Sequence, residues 1–173
     1  LAACLARLGI GRIDLLVLTH FDLDHVGGVD AVTGIVGTVL HGPAASAGDE
    51  DLLRALSASG ASVVAAHTGM TGTMGGARWR VLWPRHEGRA FPSGNDASVV
   101  LDVRGGGIPS MILLGDLSAS PQSAIAASGL LDPPYAVVKV AHHGSADQAP
   151  ALYEQIDPAL ALFTVGAEND YGH

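Results

Sequence analysis

Residues 13–28 read IDLLVLTHFDLDHVGG, an apolar run followed at once by four side chains that can ligate a metal ion. These four are His20, Asp22, Asp24 and His25. The apolar run predicts a buried strand, and the loop after such a strand can fold imidazoles and carboxylates around an ion while the strand stays rigid. A polar turn in which Asp24 caps a helix is the alternative interpretation. The H-x-D-x-D-H spacing favours a metal site.

The composition is that of one globular domain. The chain has 173 residues, of which 48% are hydrophobic, enough to fill a core. No apolar stretch approaches the roughly 20 residues that span a bilayer, and no basic segment followed by an apolar one marks a leader, so we expect this piece itself to be soluble. The net charge of −8 opposes tight binding of a polyanion by this chain alone. Bound divalent cations would reverse the local sign.

The order of the elements predicts an α/β layered fold, because strands interleave with helices. Predicted strands cover 13–18, 38–40, 62–66, 78–83, 98–103, 111–114, 136–140 and 159–165, and predicted helices cover 1–8, 49–57, 118–128 and 149–155, with a short helix between Gly28 and Val32. Asp49 is the predicted cap of the second long helix. The chain begins at Leu1, with the first helix already under way. We therefore expect residues 1–173 to be a partial domain.

Further polar clusters also follow predicted strands. Asp116, the pair His142-His143 and the segment 169–173 come directly after strands, while Asn95-Asp96 precedes one. Taken singly, each has a structural explanation, such as a helix cap for Asp116 or a turn for Asn95-Asp96. Strand ends that collect at one edge of a sheet are where α/β folds build sites. Their common placement therefore predicts one shared pocket.

The chain resembles the metallo-β-lactamase superfamily, and within it the C-terminal β-lactamase-like domain of the ComEC competence proteins. The likeness rests on five segments, namely LTHFDLDHVGG at 18–28, GNDASVVL at 94–101, LGD at 114–116, KVAHHGS at 139–145 and VGAENDYGH at 165–173. It implies an αββα sandwich that lacks the N-terminal strands of the superfamily. It also implies that the first predicted strand has an exposed edge.

The resemblance also implies the roles of the site residues. His20 and Asp22, with Asn95 or Asp96, would hold one metal ion, and Asp24, His25 and His142 a second. Asp116 would bridge the two ions, and a water molecule between them would act as the nucleophile. His143, Ser145, Asn169 and His173 would lie on the leaving-group side, with His173 as the proton donor. The pattern leaves open whether His142 or His143 is the ligand, with His142 preferred.

Two departures from the superfamily signature bear on the metal. Asp22 replaces the second histidine, and the segment at Asn95 replaces an intermediate one; both changes resemble the ComEC subgroup. Three carboxylates thereby enter the ligand set, which makes manganese or magnesium more plausible than in histidine-rich zinc sites. Zinc remains a candidate.

The leading functional hypothesis is a metal-dependent phosphodiesterase, or nuclease, acting on DNA. By resemblance, the parent protein would be embedded in the cell membrane as part of a DNA-uptake channel, with this domain on the extracytoplasmic face. Another module would help to grip the DNA. One alternative is hydrolysis of a small phosphodiester or another ester, since the fold does not decide the substrate. The other is a degenerate domain that serves a membrane assembly without catalysis.

Overall fold

The computed structural model describes residues 1–86 and 90–166, which form two β-sheets packed face to face. The helices are α1 (Ala2–Arg7), α2 (Leu23–Val26), α3 (Ala47–Ala58), α4 (Ala119–Ala126) and α5 (Pro150–Ile156). The strands are β1 (Ile13–Leu18), β2 (Val36–His41), β3 (Ser62–Ala65), β4 (Thr71–Met74), β5 (Ala77–Trp83), β6 (Val100–Gly105), β7 (Ile108–Leu113), β8 (Val137–Lys139) and β9 (Leu160–Leu162). Short 3₁₀ turns cover Val29–Val32, Asn95–Ala97 and Ala141–Gly144.

The first sheet is parallel and has the order β1-β2-β3. Its outer face carries α3, whose buried Leu53 and Leu56 pack in one cluster with Val36 and Val39. The cap of α3 differs from the predicted one. Ser46 is the N-cap, and Asp49 completes a capping box by accepting a hydrogen bond from the backbone N–H of Ser46 at 3.0 Å.

The second sheet has six strands in the order β4-β5-β6-β7-β8-β9. Neighbours from β4 to β7 are antiparallel, whereas β7, β8 and β9 are parallel. Strand β4 was not predicted, because the segment TGTM lacks an apolar alternation. It forms as the partner of β5 across a turn in which Gly75 and Gly76 have φ of 55° and 83°, a conformation that suits glycine.

Three apolar layers confirm the predicted αββα sandwich. One lies between the two sheets, where Leu40 of the first sheet meets Val81 and Leu101 of the second. The α3 layer covers the first sheet, and the other outer layer packs α4 and α5 on the second sheet through Ile125 and Leu152. Among the described residues, no helix is both long and apolar enough to span a bilayer.

Candidate metal centre

The loops after β1, β7 and β8 meet at one edge of the sandwich. Backbone hydrogen bonds tie the first loop to the segment before β6 and the other two loops to each other: Val99 N–H donates to the carbonyl oxygen of Thr19 at 3.0 Å, and His142 N–H donates to that of Gly115 at 3.1 Å. The polar segments that follow these strands in the sequence are therefore neighbours in space, on loops that rest on rigid strands.

Four ligand atoms converge where these loops meet. They belong to Asp24, His25, Asp116 and His143, and all lie within 4.8 Å of one another. Nε2 of His143 is 3.1 Å from Oδ2 of Asp116 and 3.3 Å from Oδ2 of Asp24, and Nε2 of His25 is 3.2 Å from Oδ2 of Asp116. Two imidazole nitrogens and two carboxylate oxygens that point at one spot form a donor set suited to a divalent transition metal.

His143, rather than the preferred His142, joins this group. Both histidines adopt left-handed backbone conformations, with φ of 47° and 54°, and their rings are nearly perpendicular, at 70°. Nδ1 of His143 lies 2.5 Å from the carbonyl oxygen of Thr164, which leaves Nε2 directed at His25 and Asp116. The turn thus places His143 among the four ligand atoms.

His20 and Asp22 form a second pair beside the first group. Nε2 of His20 lies 3.6 Å from Oδ2 of Asp22, and the rings of His20 and His25 are 4.1 Å apart. Within the described residues, Nε2 of His20 is buried and has no hydrogen-bond partner. A buried polar atom without a partner is costly in a native fold, and a metal ion would satisfy it.

Two hydroxyl groups lie behind the histidines, next to their Nδ1 atoms. Oγ1 of Thr19 lies 3.1 Å from Nδ1 of His20 and 3.3 Å from Nδ1 of His25. Oγ of the fully buried Ser98 lies 3.2 Å from Nδ1 of His20 and accepts a hydrogen bond from the backbone N–H of Asp116 at 3.1 Å. If each Nδ1 donates to these oxygens, each Nε2 is left as a lone pair for a metal.

Lys139 holds the other oxygen of Asp116. Its Nζ donates to Oδ1 of Asp116 at 3.1 Å and to the carbonyl oxygen of Gly115 at 2.9 Å. Burial alone would raise the pKa of the Asp116 carboxyl. The contact with His25 and the charge of Lys139 lower this pKa by more than burial raises it, so the net pKa lies well below its ordinary value. Asp116 is therefore ionised, with Oδ1 fixed and Oδ2 directed at the cluster.

His20 is suited to remain neutral. Burial, and then the neighbouring His25, lower the pKa of His20 against the opposing effect of the nearby carboxylates. A neutral imidazole is the form that ligates metals. The burial and the unpartnered Nε2 of His20 both fit a metal ligand.

Thr19, Ser98 and Lys139 belong to the motifs quoted from the sequence, but no role was predicted for them. One feature of the sequence did indicate a role for Lys139: it is an ionisable residue at the end of a buried strand, three residues before the histidine pair. Ser98 lies far in sequence from its histidine partner, since Ser98 and His20 are 78 residues apart. Such pairings become visible only once the loops meet.

The other predicted site residues are less engaged or lie outside the described part. The carbonyl oxygen of Asn95 accepts a hydrogen bond from Ser98 N–H at 3.0 Å, while the carboxylate of Asp96 accepts one from Ser118 N–H at 3.1 Å. The hydroxyl of Ser145 accepts one from Asp147 N–H at 3.3 Å. Asn169 and His173 lie outside the described residues, and their roles stay predictions.

Fold and sequence together define the class. Residues 1–156 match the model of the metallo-β-lactamase superfamily, and the chain belongs to that superfamily. The two-sheet sandwich and the imidazole and carboxylate cluster at its edge agree with this membership. The prediction of a metal-dependent hydrolase is confirmed at this level, without a substrate.

Particular relatives add detail. The chain is 30% identical over 176 residues to "ComE operon protein 3" of Bacillus subtilis (strain 168), an alignment that covers 98% of this chain and 22% of that protein. The chain thus spans about a fifth of this relative. The predicted resemblance to the ComEC proteins is confirmed.

Solved structures share the fold at lower identity. CmlA, a diiron beta-hydroxylase from Streptomyces venezuelae, superposes with a TM-score of 0.61 at 19% identity, over 87% of this chain and 35% of CmlA. The metallo-beta-lactamase fold protein YhfI from Bacillus subtilis gives a TM-score of 0.52 at 12% identity, over 88% of this chain and 66% of YhfI. These likenesses establish the fold alone.

Proposed function

We propose that this chain is the catalytic domain of a metal-dependent phosphodiesterase that cuts DNA within a competence DNA-uptake protein. The observation that carries the hydrolytic part is the convergence of Asp24, His25, Asp116 and His143 beside the unpartnered Nε2 of His20. The DNA part is supported by the resemblance to the ComEC proteins and by the identity to "ComE operon protein 3".

We assign two divalent ions to the centre, with manganese or zinc as the preferred metals and magnesium as a third candidate. Asp24, His25 and His143 would hold one ion, and His20 and Asp22 the other. Asp116 would contribute to both. When bound, such ions supply Lewis acidity toward a phosphoryl oxygen and lower the pKa of a water molecule.

The protein's own groups prepare the centre. Lys139 and Ser98 fix Asp116, and Thr19 orients two imidazole rings, so the ligands need little rearrangement on binding.

Exposure at the site favours a large substrate. The side chains of His20 and Asp116 are 2% and 3% exposed, whereas Asp22 and Asp24 are 60% and 62% exposed. The cluster is therefore buried on one side and open on the other, and a polymer can reach the open side without threading through a tunnel.

The net charge of −8 implies that another module of the parent protein supplies most of the DNA grip. We place that parent at the cell membrane, with this domain on the extracytoplasmic face.

The test is cleavage of single-stranded and duplex DNA by the purified chain with manganese, zinc or magnesium. Asp116→Asn removes the central carboxylate charge at constant shape, and we expect cleavage to fall by at least 100-fold. The matched control is Asp14→Asn, an exposed carboxylate on β1 paired with Arg12, which should leave the rate unchanged. Equal cleavage by the wild type and Asp116→Asn would refute the proposal.

A cavity beside the cluster supports a second candidate, hydrolysis of a small phosphodiester or ester. It has a volume of about 230 Å³ and is lined by His25 and Lys139 together with apolar side chains such as Val17 and Leu101. A space of this kind suits a compact apolar group. A panel of chromogenic phosphodiesters, thioesters and lactones separates the two candidates, since a preference for a non-nucleotide ester would favour the second.

Metal content tests the remaining alternative, a domain without catalysis. We expect close to two ions per chain by native mass spectrometry after loading. A value well below one ion per chain would support a structural role.

A further inference from the structure

A second cavity lies on the outer face of the six-stranded sheet. It has a volume of about 370 Å³ and is formed by β4, β5, β6 and the segment at Asp132. Arg78, Arg80 and Arg104 all line it, so a third of the nine lysines and arginines of an acidic chain share one cavity. Such a local excess of positive charge is unexpected from the composition.

The strand geometry places two of these charges opposite each other. Arg78 on β5 pairs in register with Arg104 on β6. Trp79, between Arg78 and Arg80, packs in the layer between the sheets, so the two arginines extend from the other face. Like charges directly opposite on antiparallel strands are destabilising unless something neutralises them.

Only part of this charge is neutralised by the chain. The buried carboxylate of Asp102 accepts hydrogen bonds from Arg80 and Arg104, each at 2.8 Å, and one from the hydroxyl of Tyr135 at 3.1 Å. Arg104 also lies over the ring of Tyr135, at 4.4 Å from its centroid. Nη1 of Arg104 also lies 3.6 Å from the carboxylate of Asp132. Together these contacts hold two guanidinium groups in place and occupy both oxygens of Asp102.

Arg78 is left over. It is exposed, and the structure gives it no hydrogen bond or ion pair with residues 1–86 or 90–166. The arginines and the two carboxylates of the cavity, Asp102 and Asp132, leave a net charge of +1. The hydroxyl-bearing Thr71 and Thr73 line the same cavity from β4, and both can donate hydrogen bonds to an anion.

We propose that this cavity binds a phosphoryl oxyanion, with Arg78 as the main anchor and Arg104 opposite it. The planar guanidinium group of Arg78 can bind two oxygens of a phosphate in a bidentate manner. The site is separate from the metal centre. The end of β6 next to the metal centre is Val100, two residues after Ser98, and Arg104 lies four residues further along β6, about 13 Å at the rise of a strand. It does not depend on the proposed hydrolytic activity.

The experiment is an isothermal titration of metal-free protein, kept in chelator so that the metal centre cannot bind the probe. The probes are inorganic phosphate and an oligothymidylate without a terminal phosphate. Tighter binding of phosphate would identify a free phosphate or phosphomonoester as the ligand, and tighter binding of the oligonucleotide would identify a nucleic-acid backbone. Either result supports the oxyanion site only if it depends on Arg78.

Variants establish that dependence. We expect Arg78→Ala to weaken binding about tenfold or more, which corresponds to the loss of a charge-assisted contact, and Arg78→Lys to recover only part of it, because lysine lacks the planar fork. The control Arg54→Ala also removes an exposed charge, here from α3, where Arg54 pairs with Asp51, and should bind like the wild type.

Thermal midpoints add a second measurement. Without probe, Arg78→Ala should melt no lower than the wild type, because it relieves a like-charge pair. Phosphate should raise the midpoint of the wild type more than that of the variant. The proposal is overturned if neither probe binds saturably at millimolar concentration, if Arg54→Ala weakens binding as much as Arg78→Ala, or if Arg78→Ala melts lower.

Discussion

Replacing Ser98 with alanine tests how the fold supports the metal centre. The Ser98 hydroxyl accepts the backbone N–H of Asp116 and contacts Nδ1 of His20, all within a buried region. Without it, the N–H of Asp116 has no described partner, whereas His20 keeps Thr19. One buried donor left unsatisfied costs about 1–3 kcal/mol, and at about 2–4 °C per kcal/mol for a domain of this size the midpoint should fall by about 2–12 °C.

Metal binding should weaken as well. Partners behind metal ligands typically contribute about 10–100-fold to affinity, so isothermal titration of Ser98→Ala with manganese or zinc should show a loss in that range. Ser110→Ala is the matched control, because the Ser110 hydroxyl also accepts a backbone N–H, from Ala136 at 3.0 Å, but on β7 away from the cluster. The control should lose stability and keep its metal affinity. Equal metal affinities for the two variants would refute the reasoning.

Three further changes probe the same centre. Gly115→Ala should destabilise the protein by about 2–5 kcal/mol in urea denaturation, since φ is +56° and a Cβ would approach that of the serine at 98 to 2.5 Å; Gly107→Ala, also at positive φ but in open space, should cost less. Lys139→Met should lower the unfolding free energy by about 1–3 kcal/mol near neutral pH. Because the folded pKa of Asp116 is depressed, the stabilisation exists above its ordinary pKa, and the difference from the wild type should shrink as the pH falls below about 4; a gap independent of pH would contradict this. His143→Ala should reduce manganese affinity at least about tenfold, and the same change at the preceding histidine should reduce it less.

The strands and their common edge could be predicted, because continuous apolar runs such as Ile13–Leu18 define strands and their ends must meet in a layered sheet. Boundaries were less predictable. The predicted strand 98–103 begins only at Val100, since the N–H of Val99 donates to the loop of the other sheet at Thr19. The predicted N-cap of α3, Asp49, was wrong, because Ser46 is the N-cap. The spacing of Ser46 and Asp49 is nevertheless that of a capping box.

Which of the two adjacent histidines points toward the cluster was not accessible from the sequence. It depends on backbone torsions that neither residue type specifies and on Thr164, whose carbonyl oxygen holds the His143 ring from 21 residues away. The roles of Ser98 and Lys139 were missed for the same reason. Local pattern predicts which groups reach an edge, whereas long-range hydrogen bonds decide which atoms of those groups face one another.

Three successive residues after β8, His142, His143 and Gly144, have positive φ. For histidine this conformation is uncommon and costs about 1–3 kcal/mol per residue, and surrounding hydrogen bonds such as that of His143 with Thr164 help to maintain it. An incoming cation would then meet a coordinating nitrogen already in position, and capture would require little ordering of the loop. The conformational entropy of this segment is lost when the protein folds and not when the metal binds. We therefore expect metal uptake to be rapid and not to be limited by folding of the loop.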